Sequence, residues 1–246
     1  MVTTITSAAP VVLRLLAHDL RWRLVGYLAQ SDRRVGELVE LVGERQNLVS
    51  YHLRLLKQGS VVSERRSSHD ARDIYYSLDL ERVGSELRRS TRELHPSLGI
   101  SVPQSATGRP SASVLFLCTG NSARSQMAEA LLRKATAGSV AVSSAGTRPA
   151  GVHPMAIKVL AALGVNTEDL HSKGLDEIGD GAFDLVVTLC DIAREQCPDL
   201  PQYRELIHWS LADPAAVDGP PADTRLAFER TADELASRIA FLLPRL

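Results

Sequence analysis

The chain has 246 residues, which exceeds the usual size of a single domain, and a formal net charge of −1. It contains only three cysteines, none before residue 118, which argues against a secreted disulfide framework and favours a catalytic use of thiols in the cytosol. No signal peptide or membrane span is recognisable, because the apolar run 10–17 is short and interrupted by Arg14. We therefore expect a cytoplasmic protein that does not engage a membrane.

The N-terminal part has a mostly helical pattern. Apolar residues at helical spacing predict helices over Val11–Leu16 and 20–28, followed by a short helix over 35–43 that ends in a glycine. A further helix is predicted over Gln46–Gln58. It follows closely enough to form a helix-turn-helix with the short helix.

Two strands and a final helix complete this part of the chain. The segments 60–66 and 73–78 read as strands, and the polar tip 67–71 between them makes a β-wing. An amphipathic helix over 81–94 follows. The pattern predicts a mostly α-helical, winged helix-turn-helix DNA-binding domain over residues 1–95.

The stretches 47–53 and 55–59 resemble the ArsR/SmtB winged-helix repressors. The resemblance implies a homodimer that binds operator DNA, with the second helix of the helix-turn-helix in the major groove. The residues expected to contact base edges or phosphates are Gln46, Asn47, Ser50 and Tyr51, and those expected to contact phosphates are Arg54, Lys57, Arg65, Arg66 and Arg72. His52 is expected to pack or to bind phosphate rather than to bind a metal.

The charge changes sign along the chain, across a proline-rich linker predicted over residues 96–112. The first 110 residues carry 16 Lys and Arg against 12 Asp and Glu, whereas the rest carry 12 against 17. The modest basic excess of the first part gives less support to DNA binding than the resemblance does.

The strongest chemical signal is Cys118, followed after five residues by Arg124. The apolar run 114–117 predicts a strand before it, and the pattern 126–132 predicts a helix after it. Such a loop directs backbone N–H groups and the positive end of the helix dipole at one point, which suits a tetrahedral oxyanion. The same field favours the nucleophilic thiolate of Cys118. The alternative is a buried structural cysteine beside a surface arginine. The residues expected to bind the oxyanion are Thr119, Gly120, Asn121, Ser122, Ala123 and Arg124.

Two further cysteines suggest which chemistry this loop performs. A second buried parallel strand is predicted over 183–189, with Cys190 at its C-terminal end. Because ligand sites gather at the C-terminal ends of parallel strands, Cys118 and Cys190 should lie near one another. Cys197 follows after six residues, so three thiols near one anion permit a relay. For either later cysteine alone, a small buried hydrophobe is the alternative interpretation.

Residues 113–246 resemble the thioredoxin-coupled arsenate reductases, which share the fold of the low-molecular-weight protein tyrosine phosphatases. The matching stretches are 117–122, 124–129, 144–146, 151–154, 156–157, 184–190, 197–198, 208–209 and 213–214. Ordinary phosphatases of this fold lack the Cys190/Cys197 pair and usually carry an aromatic residue in place of Ala215. The resemblance implies an α/β domain over 113–246, with a central parallel four-stranded sheet and helices on both faces. It also implies that no cofactor is tightly bound, and we predict no metal site in this chain.

The resemblance also implies a mechanism. Arsenate sits in the loop, Cys118 attacks arsenic, and Asp213 protonates the departing oxygen as general acid. Cys190 then attacks Cys118 and arsenite leaves, after which Cys197 attacks Cys190 to leave a disulfide for thioredoxin or another dithiol to reduce. Ser125 would donate a hydrogen bond to the thiolate of Cys118. Asp213 is alternatively only a turn-forming residue before a proline.

The spacing of the last two cysteines has a structural consequence. If residues 190–197 were helical, seven steps of ~1.5 Å would place the two Cα atoms roughly 10 Å apart. A disulfide requires about 5.5 Å. We therefore expect this segment to unwind or loop out on oxidation.

Three functions fit the sequence. The first is an arsenate reductase fused to a regulator of arsenic resistance, the second is a tyrosine phosphatase fused to a regulator, and the third is a regulator whose second domain only binds an oxyanion. Repressors that sense arsenite usually do so through cysteines, but the first 117 residues contain none. Either induction acts through the C-terminal domain, or the N-terminal half does not sense the metalloid.

Overall fold

A computed structural model of the chain describes residues 9–95, 112–179, 181–196 and 200–246. They form two compact units, the first built from residues 9–66 and 73–95 and the second from 67–72 together with the residues from 112 onwards. The predicted linker (apart from Ala112) and Cys197 with Pro198 lie outside the described residues. Within the described ranges, no helix is both long and apolar enough to cross a membrane.

The described part of the N-terminal unit contains five helices close to their predicted positions. They are α1 Val11–Leu16, α2 Asp19–Leu28, α3 Val35–Val42, α4 Gln46–Gln58 and α5 Leu80–Leu94. Helix α3 ends at Gly43, whose φ of 67° lies in the left-handed region that glycine adopts without strain. Apolar side chains of α2, α3 and α4, among them the fully buried Leu24, Leu38 and Leu53, form the core of this unit.

A small antiparallel sheet of order β1-β3-β2 accompanies these helices, with β1 Arg33–Arg34, β2 Val62–Arg66 and β3 Ile74–Leu78. The second strand begins two residues later than predicted, because Ser60 has a φ of 53° and ends the turn after α4. The two-residue strand β1 was not predicted, since so short a segment shows no periodicity.

The second unit contains a parallel four-stranded sheet, which confirms that part of the prediction. Its strands are β4 Ser113–Cys118, β5 Ala141–Gly146, β6 Phe183–Thr188 and β7 Tyr203–His208, in the order β5-β4-β6-β7. Because all four strands run the same way, their C-terminal ends meet at one edge. Cys118 ends β4 and Cys190 follows β6, so the neighbouring strands deliver both thiols to that edge.

Four helices accompany this sheet in the described part of the unit, namely α6 Arg124–Ala135, α7 Pro154–Ala162, α8 Asp191–Gln196 and α9 Pro221–Leu242. Alternate side chains of β4 enter two separate cores. Val114 and Phe116 belong to the cluster that includes residues of α6, α7 and α9. Leu115 and Leu117 belong to a smaller cluster on the other face. With both faces covered, the apolar run that precedes Cys118 forms a fully buried central strand.

Candidate active site

The loop between β4 and α6 is held from outside by backbone hydrogen bonds. The carbonyl oxygens of Thr119, Gly120 and Ser122 accept N–H groups of the segment 147–153 at 2.8–2.9 Å. In a trans peptide the N–H points away from the C=O, so the N–H groups of these peptide units face the inner side of the loop. The positive end of α6 lies at the same place. The arrangement is a cradle of donors suited to a tetrahedral anion.

The backbone of this loop is strained and closely packed. Asn121 is fully buried and has a φ of 43°, a left-handed conformation that costs energy for a residue with a side chain. Gly146 at the end of β5 lies against the loop. A Cβ at that position would fall 2.7 Å from the backbone N of Asn121 and 2.8 Å from the carbonyl oxygen of Thr119. Only glycine leaves room for the loop at this position.

Cys118 lies at the base of the loop and is 2% exposed. Its Sγ is 2.9 Å from the Oγ of Ser125, in the first turn of α6. Ser125 Oγ also accepts a hydrogen bond from Asn121 Nδ2 at 2.9 Å. Because that bond uses a lone pair of the hydroxyl, the Ser125 proton is available for a hydrogen bond to the sulfur of Cys118.

Arg124 brings Asp213 to the loop. The Arg124 side chain is 8% exposed, and its guanidinium donates to Asp213 Oδ2 at 2.8 Å and to the Leu211 carbonyl at 3.0 Å. Asp213 Oδ1 accepts the N–H of Ala215 at 3.0 Å and so caps a 3-10 helix over Pro214–Ala216. Asp213 therefore forms the turn that the sequence suggested and also lies at the site, where its carboxyl group is half-exposed.

Cys190 lies beside the loop and is 1% exposed. Its Sγ is 3.3 Å from Thr119 Oγ1 and accepts the N–H of Ala193 at 3.4 Å. Burial raises the pKa of the Cys190 thiol above its usual value; Arg124 opposes this shift and Cys118 adds to it. Both cysteines are free. At neutral pH the second thiol is thus held protonated next to the first.

A buried polar cluster, missed by the sequence reasoning, anchors the helix that follows Cys190. Asp191 is fully buried, and its Oδ1 accepts the hydroxyl of Ser210 at 2.7 Å and lies 3.3 Å from His208 Nε2. His208 Nδ1 is 2.9 Å from Thr188 Oγ1. These contacts tie the start of α8 to the ends of β6 and β7. The available signal was an aspartate directly after the cysteine that follows a buried strand.

Eight of the nine predicted DNA-contacting residues lie on two elements of the N-terminal unit. The ninth, Arg72, lies in the segment 67–72 that is assigned to the second unit, and it forms an ion pair with Asp70. Helix α4 buries Val49, Leu53 and Leu56, and six of the predicted residues are exposed on it. These six are Gln46, Asn47, Ser50, Tyr51, Arg54 and Lys57. Arg65 and Arg66 lie on β2. His52 is 5% exposed, with its ring 4.5 Å from that of His18, so it packs inside the unit as expected.

Residues 113–246 match the family model described as low molecular weight phosphotyrosine protein phosphatase, and the chain belongs to this family. An arsenate reductase of Halalkalibacterium halodurans is 40% identical over 126 residues, which are 51% of this chain and 91% of that protein. Arsenate reductase 1 of Bacillus cereus is 42% identical over 127 residues, which are 51% of this chain and 90% of that protein. A solved structure of an arsenate reductase in the phosphate binding state is 27% identical, covers 55% of this chain and 98% of that chain, and has a TM-score of 0.47.

Proposed function

We propose that the chain reduces arsenate to arsenite by a relay of three cysteines, with thioredoxin as the reductant, and that its N-terminal unit is a DNA-binding regulator of arsenic resistance. One observation carries the enzymatic part. A second free thiol, Cys190, lies beside the loop of Cys118, within reach of the hydroxyl of a loop residue. Hydrolysis of a phosphate ester requires one nucleophilic thiol, whereas a reductase relay requires a second thiol that can attack the first.

The first two steps of the proposed relay are supported by contacts in the site, and the third follows from the resemblance. Backbone N–H groups and Arg124 bind arsenate, and the thiolate of Cys118 forms a bond to arsenic while Asp213 protonates the oxygen that leaves as water. Cys190 then attacks the sulfur of Cys118. The sulfur–arsenic bond breaks, its electron pair stays on arsenic to give arsenite, and a disulfide joins the two cysteines. Cys197 attacks Cys190, which releases Cys118 and leaves a disulfide for a dithiol to reduce.

The protonation state of Cys190 supports this order of events. The raised pKa of Cys190 keeps it a neutral thiol, which is a poor nucleophile. Cys190 therefore does not compete with Cys118 for the first attack on arsenate. Arg124, Thr119 and Ala193 all act to lower that pKa, so the site already contains the groups that favour the thiolate when the second step begins.

Helix α8 must open for the last transfer. It is helical over Asp191–Gln196, the residues that separate Cys190 from Cys197. If the segment stayed helical up to Cys197, the Cα atoms of Cys190 and Cys197 would be several ångströms farther apart than a disulfide allows. We expect the amides of α8 to exchange with deuterium at least tenfold faster in the protein oxidised between these two cysteines than in the reduced protein. Equal protection in the two states would contradict the proposal.

The test of the enzymatic function is arsenate-dependent consumption of NADPH in the presence of thioredoxin and thioredoxin reductase. Hydrolysis of a phosphotyrosine substrate is measured beside it. We expect Cys197→Ser to abolish multiple turnovers of arsenate. Robust phosphotyrosine hydrolysis without arsenate turnover would instead identify a phosphatase. Binding of arsenate with no turnover of either substrate would identify an oxyanion-responsive regulator.

The regulatory half of the proposal rests on the exposed face of α4. The arrangement of α3, α4 and the β2–β3 hairpin supports a winged helix in which α4 enters the major groove of operator DNA as part of a homodimer. Polar side chains and two cations line this face, and the guanidinium of Arg54 lies 5.6 Å from the ring centre of Tyr51. That contact holds a cation on the surface where phosphates would approach.

Arg54→Ala tests this interface. We expect weaker binding to DNA from upstream of the gene, with the slope of log K against log salt reduced in magnitude by about one. Fluorescence anisotropy over a series of salt concentrations measures both quantities. Arg92→Ala, which removes an exposed arginine from α5, is the matched control and should leave the slope unchanged. Identical slopes for wild type and Arg54→Ala would exclude a phosphate contact at this position.

A further inference from the structure

A chain of hydrogen bonds runs from Cys118 into the interior of the second unit. Asn121 Nδ2 donates to Ser125 Oγ at 2.9 Å and to Ser144 Oγ at 2.8 Å. Each hydroxyl therefore turns its own proton away from Asn121. Ser125 directs its proton to Cys118, and Ser144 donates to the carboxylate of Glu129. The direction of donation at Cys118 thus depends on the orientation of one amide group.

The orientation of Asn121 is fixed at its oxygen. Asn121 Oδ1 accepts the backbone N–H of Lys173 at 2.8 Å and Gln126 Nε2 at 2.8 Å. Gln126 is fully buried and also donates to the carbonyl oxygen of His171 at 2.7 Å. With two donors on Oδ1, rotation of the amide by 180° would bring N–H groups face to face. Nδ2 is therefore held toward the two serine hydroxyls.

Charged groups lie at the far end of this chain of hydrogen bonds. The Glu129 side chain is 6% exposed and forms ion pairs with Lys173, whose Nζ lies 3.5 Å away, and with Arg133. The Lys173 side chain is 13% exposed, whereas that of Arg133 is 42% exposed and better screened by solvent. The ammonium group of Lys173 is therefore the less screened partner that balances the buried carboxylate of Glu129.

We propose that Lys173 is a positioning residue for Cys118, whose backbone N–H orients Asn121 and whose ammonium group holds Glu129 at the end of the hydrogen-bond chain. The lysine lies outside the Cys118 loop, in the segment before β6. Its importance for turnover rests on the proposed arsenate reduction, but its effect on the reactivity of Cys118 does not. Loss of the ammonium group should lower kcat and leave KM for arsenate nearly unchanged, because Lys173 acts through the thiolate.

The experiment compares the alkylation of Cys118 in reduced, full-length wild type and Lys173→Gln, from mildly acidic to alkaline pH. Iodoacetamide is the probe, and peptide mass spectrometry separates Cys118 from Cys190 and Cys197. We expect alkylation of Cys118 near neutral pH to be about tenfold slower in Lys173→Gln than in wild type. The control is Lys134→Gln, which removes a lysine that donates to the carbonyl oxygen of Leu163 and should match wild type.

Two further variants keep the result interpretable if Lys173→Gln folds poorly. Lys173→Arg keeps a cation beside Glu129 and should retain most of the reactivity. Lys173→Ala leaves space beside Glu129, and added methylammonium should restore part of its alkylation rate. A Lys173→Gln or Lys173→Ala profile that superimposes on wild type overturns the proposal, as does slow alkylation of Lys173→Ala that methylammonium leaves unchanged. Arsenate turnover, measured separately, tests the proposed function without affecting this comparison.

Discussion

Replacement of Cys118 by serine is expected to reduce arsenate turnover by on the order of 10⁴-fold or more, because no other group in the loop can form the bond to arsenic. The backbone cradle and Arg124 remain in this variant, so arsenate should still bind. NADPH consumption coupled through thioredoxin measures the loss, and isothermal titration measures the retained binding. Substantial turnover by Cys118→Ser would mean that another thiol makes the first attack.

Cys190→Ser is the matched comparison for this prediction. It should also abolish multiple turnovers of arsenate, yet it leaves Cys118, Ser125 and Asp213 in place. Any hydrolysis of a phosphotyrosine substrate by wild type should therefore persist in Cys190→Ser and disappear in Cys118→Ser. The two variants separate formation of the bond to the anion from the redox step that follows. Equal loss of hydrolysis in both would place Cys190 in the first step.

Gly146→Ala is expected to lower arsenate turnover by about 10²-fold, although Gly146 carries no reactive group. The added Cβ would lie within 3.0 Å of the backbone N of Asn121 and the carbonyl oxygen of Thr119. Both atoms are backbone, so the loop must move as a unit and its N–H groups would no longer converge. The overpacking should also reduce the free energy of unfolding by about 1–3 kcal/mol. Steady-state kinetics and thermal unfolding measure the two effects.

Gly181→Ala provides the control for this substitution. Gly181 lies just before β6 in the same unit, and a Cβ there would meet no atom within 4 Å. We expect wild-type kinetics and nearly unchanged stability for this variant. If Gly146→Ala were as active as Gly181→Ala, the loop would have to tolerate the shift, and its close packing against β5 would not control its geometry.

The sequence predicts most elements of this fold because their local signals agree. The amphipathic pattern over Gln46–Gln58 matches α4 at both ends, and the apolar run before Cys118 is the central strand of the sheet. The error at the start of β2 arises from Ser60, whose left-handed backbone is unusual for a serine and leaves no trace in residue type. Element boundaries depend on such single residues, whereas element types depend on many.

By itself, the sequence predicted the strand, the loop from Cys118 to Arg124 and the helix that follows, and it placed Cys190 at the end of a neighbouring strand, because each depends on a local pattern and on the parallel direction of the strands. Only the tertiary structure decided how the site is supported. Gly146, Lys173 and Asp191 contact residues distant in the chain, and such contacts have no periodicity. The donors that surround Cys118 are local in sequence, but the packing that orients them is not.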